Sequence, residues 1–86
     1  MSYYRMILSE QELSDFFEGN QSQMEQYADE LERRLATDGD TARVVIERNA
    51  LVDKLTVDGD EPSREDDEMV DAIIADMTNS WEWLTD

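Results

Sequence analysis

The stretch TARVVIERNALVDKLTV, Thr41 to Val57, decides the fold class because it satisfies two periodicities at once. Val44, Leu51 and Leu55, with Val45 and Val52 beside them, give an acceptable helical stripe. The same stretch is rich in β-branched residues, so Arg43-Val44-Val45-Ile46 and Leu51 to Val57 also read as two strands joined around Arg48-Asn49-Ala50. The helical reading is preferred because Asn49-Ala50 makes a poor hairpin turn.

The segments on either side carry plainer signals. Upstream, Met24, Tyr27, Ala28, Leu31 and Leu35 recur at three- and four-residue intervals, which predicts a helix from about Gln21 to Ala36. Arg33 and Arg34 near its end suit the helix dipole, and Thr37-Asp38-Gly39-Asp40 follows as a turn. A shorter helix precedes it: Ser9 and Glu12 match a capping box, Leu13, Phe16 and Phe17 form an inward face, and Gly19-Asn20 ends the helix. Asn20 then caps the next helix, with Gln23 at the reciprocal position. Met1 to Leu8, apolar and aromatic without a helical stripe, reads as a short extended or packed arm.

Downstream, Val57 to Pro62 is a loop, and Ser63 with Asp66 caps a last helix whose stripe is Val70, Ile73, Met77, Trp81 and Leu84. Trp81 falls on that stripe and is expected in the core. Trp83 lies roughly 200° away around the helix, where it either packs under the N-terminal arm or anchors a partner. The fold expected from these readings is mostly α, a single acidic helical domain over 1–86, built as a bundle of about four helices with a short N-terminal arm. An α+β fold with a hairpin at about 43–57 is the alternative.

Charge bounds what the chain can do. Against 23 Asp and Glu stand only Lys54 and six arginines, a net charge of −16 with a pI near 4.1. Such a field repels nucleic acid and anionic membranes and steers basic protein surfaces toward it. With neither cysteine nor histidine, the chain has no thiolate metal site and lacks the side chain best suited to proton transfer at neutral pH. Carboxylates are abundant, but no nucleophile sits beside a base and no glycine loop is built for phosphate. The expectation is a protein that is not an enzyme and has no catalytic, cofactor-binding or metal-ligating residues. An EF-hand read from Asp58 fails, with Pro62, Ser63 and Met69 at positions that need other residues, and one read from Asp38 fails at Ala42. Acyl carrier proteins share the composition, but the D-S-L motif that carries their prosthetic arm is missing. No apolar run is long enough to span a membrane and Met1 to Ser9 does not read as a secretory signal, so a cytoplasmic location is expected.

The acidic residues also fall in rows. Glu25, Asp29 and Glu32 are spaced i, i+4 and i+7 on the second helix, opposite the apolar stripe. Glu65, Asp66, Asp67, Glu68 and Asp71 crowd the first two turns of the last one, where mutual repulsion costs stability. Sixteen phosphates occupy roughly 27 Å of duplex axis, close to the diameter of a globule of this length. In size, charge and helical carboxylate rows the chain resembles the small acidic inhibitors of bacteriophages and other mobile elements, including anti-restriction and anti-CRISPR proteins, which imitate nucleic acid electrostatically.

That resemblance implies a cytoplasmic protein, acting in the host cytoplasm if phage-encoded. It would occupy the basic DNA or RNA channel of a nucleic-acid-binding protein, its carboxylates taking phosphate positions and pairing with Arg and Lys. Nucleic acid and membranes are not expected as direct partners. The residues expected at the interface are the two acidic rows and Trp83. An acidic adaptor, antitoxin-like partner or chaperone that does not imitate nucleic acid is the alternative, and scarce lysine with abundant aspartate also fits a salt-adapted protein.

Overall fold

In the computed structural model, which describes residues 1–37 and 39–85, the N-terminal stretch is the central strand of a sheet and not an arm. Strand β1 (Tyr3–Ser9) is followed by helices α1 (Glu10–Phe17) and α2 (Gln21–Leu35), strands β2 (Thr41–Glu47) and β3 (Lys54–Val57), and helix α3 (Arg64–Asn79). The strands lie in the order β2-β1-β3, with β2 parallel and β3 antiparallel to β1. The expected four-helix bundle is therefore overturned: the fold is α+β, with three helices and a three-stranded mixed sheet. Thr41 to Val57 does hold two strands, but they form no hairpin, because each pairs with β1 and neither with the other. The helical stripe read across them was a coincidence of spacing.

A parallel pair needs a crossover, and α1 with α2 supplies it. Along β1 the burial alternates: Tyr4, Met6 and Leu8 are buried, while Tyr3 and Arg5 face solvent. Register carries the alternation to the neighbouring strands, so Ala42, Val44 and Ile46 on β2 and Leu55 and Val57 on β3 join the inward face. Leu13 and Phe17 of α1, Met24, Tyr27, Ala28, Leu31 and Leu35 of α2, and Val70 and Met77 of α3 complete one core. All three helices thus cover the same side of the sheet, and the other side is open.

Local capping sets the helix starts where the sequence placed them, whereas the last helix stops at Asn79, short of the expected Leu84. Ser9, Asn20 and Ser63 accept hydrogen bonds from the backbone N–H groups of Glu12, Gln23 and Asp66, and Ser63 with Asp66 forms a full capping box. Glu18 and Gly19 take positive φ (54° and 75°) and turn the chain from α1 into α2. Asp38 of the predicted turn lies outside the described residues.

Two expectations about aromatics are reversed. Phe16 is exposed, because α1 is a short helix whose inward stripe is satisfied by Leu13 and Phe17. Trp81 is exposed as well, whereas Trp83 packs against the core and donates its indole Nε1–H to the Met77 carbonyl at 2.8 Å. The cause is that α3 ends at Asn79 and Ser80 is extended (φ −133°, ψ 118°), so the helical phase does not continue to the tryptophans.

Because β1 supplies both neighbours with their partner strand, deleting residues 1–8 should abolish cooperative thermal unfolding and the native circular dichroism. A cooperative transition in the truncated chain would contradict the central placement. Leu8→Ala, a milder change at a fully buried side chain, should cost about 2–4 kcal/mol in urea unfolding.

Candidate functional site

The acidic rows sit on the helical layer, but the fold uses some of their members. Glu25 and Asp29 project from α2 into solvent and make no ion pair among the described residues. Glu32 is half-buried, and its Oε1 accepts the Val44 N–H at 2.9 Å. The Thr41 N–H bonds back to the Ser2 carbonyl, so alternation points the Val44 N–H away from β1, at the open edge of the sheet. Glu32 therefore stops a strand edge that would otherwise be free to pair with another chain. The expected row of three is reduced to Glu25 and Asp29.

On α3 the same sorting applies. Asp66 closes the capping box, its Oδ2 accepting from the Ser63 N–H at 3.3 Å and the Ser63 hydroxyl at 2.9 Å. Glu68 pairs with Arg64 at 3.3 Å across one turn. Glu65, Asp67 and Asp71 are exposed and without a cation partner among the described residues. Trp83 is half-buried, packs against the core and donates to the Met77 carbonyl.

Two features were not anticipated from sequence. The first is a hub at Glu30, whose carboxylate receives both Arg33 and Arg34, while Arg34 reaches across to Asp76 of α3 at 2.7 Å. The hydrogen bond from Arg33 holds the Glu30 carboxyl below its usual range; burial opposes the shift and Arg34 reinforces it. The second concerns the other cations. Arg33, Arg34, Arg48 and Arg64 all have carboxylate partners, whereas Arg5, Arg43 and Lys54 have none among the described residues. Those three share the open face of the sheet, with Arg5 directly opposite Arg43 and Lys54 opposite Ile7. Their signal was the position of each cation among apolar strand residues, in YYRMIL, TARVVI and KLTV, which strand pairing alone converts into a face.

The molecule is thus uneven in charge: among the described residues, carboxylates without cation partners stand on the helical layer, while the open face of the sheet carries Arg5, Arg43 and Lys54 together with one exposed carboxylate, Glu47. Its extents are 34 × 29 × 18 Å and its radius of gyration is 12.5 Å. Among the described residues no cluster of carboxylates is arranged to hold a metal ion, and no helix is long and apolar enough to cross a membrane. Beneath the helical layer, burial and the nearby Asp53 charge push the Tyr27 phenol from 10.0 up to about 12. Comparison with protein-family models, curated proteins and solved structures finds no match to this chain.

Two outcomes follow. Glu32→Ala should destabilise the domain by about 1–2 kcal/mol by leaving the Val44 N–H unsatisfied, whereas Glu32→Gln, which keeps the acceptor, should stay near wild type in urea unfolding. Tyr27 favours its neutral form more in the folded state than in the unfolded one. Its contribution is full below pH 10 and is lost as pH rises toward 12, so Tyr27→Phe should flatten that part of the alkaline stability profile.

Proposed function

We propose that this chain is a binding protein whose acidic helical layer occupies a basic nucleic-acid-binding surface of a target protein and inhibits it by imitating DNA or RNA. The observation that carries the reading is the polarity of the molecule. Glu25, Asp29 and Glu65 stand in solvent on the helical layer, and Asp67 and Asp71 at the exposed flank where α3 meets Met6 and Leu55, all without a cation partner among the described residues, while Arg5, Arg43 and Lys54 occupy the other side of the sheet. Folding alone gives little reason for this arrangement, since like charges on one helix repel and arginines that could have paired with them stand on the opposite side. A basic partner would recover the cost through charge-assisted pairs.

Scale supports the reading too. The charge of −16 equals that of roughly 27 Å of duplex, and the longest dimension of the fold is 34 Å. Phosphate-binding residues of a target read position and charge more than base identity, so carboxylates on a rigid helix can serve. A second reading is favoured by the exposed Phe16 and Trp81: an acidic adaptor that docks on a basic protein without displacing its nucleic acid. Competition separates the two.

The test begins with affinity capture of a target after nuclease treatment, followed by binding and nucleic-acid displacement at fixed salt. Glu25→Gln, Asp29→Asn and Asp67→Asn together should weaken binding at least about tenfold without lowering the melting temperature. The control is an equal removal of charge at the exposed Glu47, Asp60 and Glu61, which should change binding less than about threefold, as expected of the general field. Equal losses in the two sets would reduce the interaction to steering, and saturation without release of nucleic acid would leave the adaptor.

A further inference from the structure

Acid does not account for the surface where α1 meets the end of α3. Phe16 is 57% exposed and Trp81 40% exposed, and their rings stack with centroids 5.9 Å apart and planes at 29°. Behind them the aromatic contacts continue inward, from Trp81 to Trp83 at 5.5 Å and from Trp83 to Tyr27 at 6.1 Å. The pair is thus a supported shelf, held by the core. Phe16 also forms one wall of a cleft of about 200 Å³ whose other walls are Leu13, Tyr27, Ile74 and Thr78, with the carboxylates of Glu12 and Asp53 at its margin.

The margin is fixed. Asp53 Oδ1 accepts the Ser9 N–H at 2.8 Å, and the Ser9 hydroxyl donates to the Ala50 carbonyl at 2.9 Å, so the loop entering β3 is pinned to the start of α1. Leu51 and Val52, immediately before Asp53 in the chain, are 83% and 65% exposed. Glu12 has no ion-pair partner among the described residues.

We infer that this cleft seats one apolar side chain of a protein partner, presented from a segment in which lysines or arginines flank it. A cavity of about 150 Å³ holds a benzene-sized group, so the cleft has room for a single aromatic or branched aliphatic side chain. Exposed aromatic residues around such a pocket are the usual anchors of protein interfaces. Charge complementarity chooses the occupant. Carboxylates at the rim, in a chain of −16, repel a second copy, an acidic segment, a nucleic acid and an anionic membrane alike, and favour cations beside the apolar group. The inference rests on the proposed basic protein partner but not on imitation of nucleic acid.

The test uses the full chain and two synthetic peptides, an amphipathic helix of leucine and lysine and the same peptide with every leucine replaced by glutamine. Calorimetry and tryptophan emission are read at moderate salt. The leucine peptide should bind at least about tenfold tighter than the glutamine peptide and shift the emission to shorter wavelength, and the shift should vanish in Trp81→Phe. Phe16→Ser, at an exposed position, and Thr78→Arg, which fills the cleft with a cation, should each remove the preference for leucine while leaving the melting temperature near wild type. Equal binding of the two peptides, or a preference that survives both substitutions, overturns the inference. So does concentration-dependent self-association that Phe16→Ser abolishes, because the occupant is then a second copy. Failure here leaves nucleic-acid displacement by the helical carboxylates untouched, and failure of displacement leaves the peptide result standing.

Discussion

Strand β1 takes hydrogen bonds along both edges, from parallel β2 on one side and antiparallel β3 on the other, and the rest of the molecule is placed by that double pairing. β2 and β3 are both edge strands, each hydrogen-bonded to β1 and not to the other. The alternation within β1 decides which side receives the helices, because Tyr4, Met6 and Leu8 can be buried only on the side away from Tyr3 and Arg5. Ser9 then ends the strand and starts α1 with the same atoms. Its hydroxyl accepts the Glu12 N–H and donates to the Ala50 carbonyl, and its backbone N–H reaches Asp53, so one fully buried serine fixes strand, helix and loop together.

This architecture provides two separate surfaces for charge, but it does not require that cations and carboxylates be sorted between them. A two-layer fold with helices on one side exposes their outer faces, where carboxylates are well solvated and those in the first turn of α3 also gain from the helix dipole. The opposite side is a flat sheet surface, and the three unpaired cations there keep it polar and hinder stacking of sheets between molecules. Arg5 opposite Arg43 is an unfavourable cross-strand pair in isolation. In a molecule of net charge −16 the surrounding negative potential offsets the repulsion. The arrangement is therefore affordable for this chain, and the helical layer is left with fewer compensating charges than the composition suggests.

Not every acidic residue belongs to that field. Glu30 is held by two arginines, Glu32 by a strand N–H, Asp66 by a capping serine and Asp53 by the Ser9 N–H. All four support the fold, and Glu30, Glu32 and Asp66 are partly withdrawn from solvent, whereas Asp53 stays exposed. Glu25, Asp29, Glu65, Asp67 and Asp71 remain exposed and without a cation partner among the described residues, and these are the groups on which the proposed binding role rests.

Legible from the residues alone were the starts of the three helices, the apolar stripe of α2 and the net charge. The caps at Ser9, Asn20 and Ser63 act over three residues, the stripe repeats within one segment, and charge is additive, so all three are local or summed properties. Tertiary structure decided the rest. Whether TARVVIE is helix or strand depends on a partner some 38 residues earlier in the chain, and no local pattern carries that pairing. The extended conformation of Ser80 broke the helical phase, which left Trp81 exposed and brought Trp83 onto the Met77 carbonyl. Which carboxylates are spent on the fold depended on where a distant backbone N–H came to rest, as Val44 did beside Glu32.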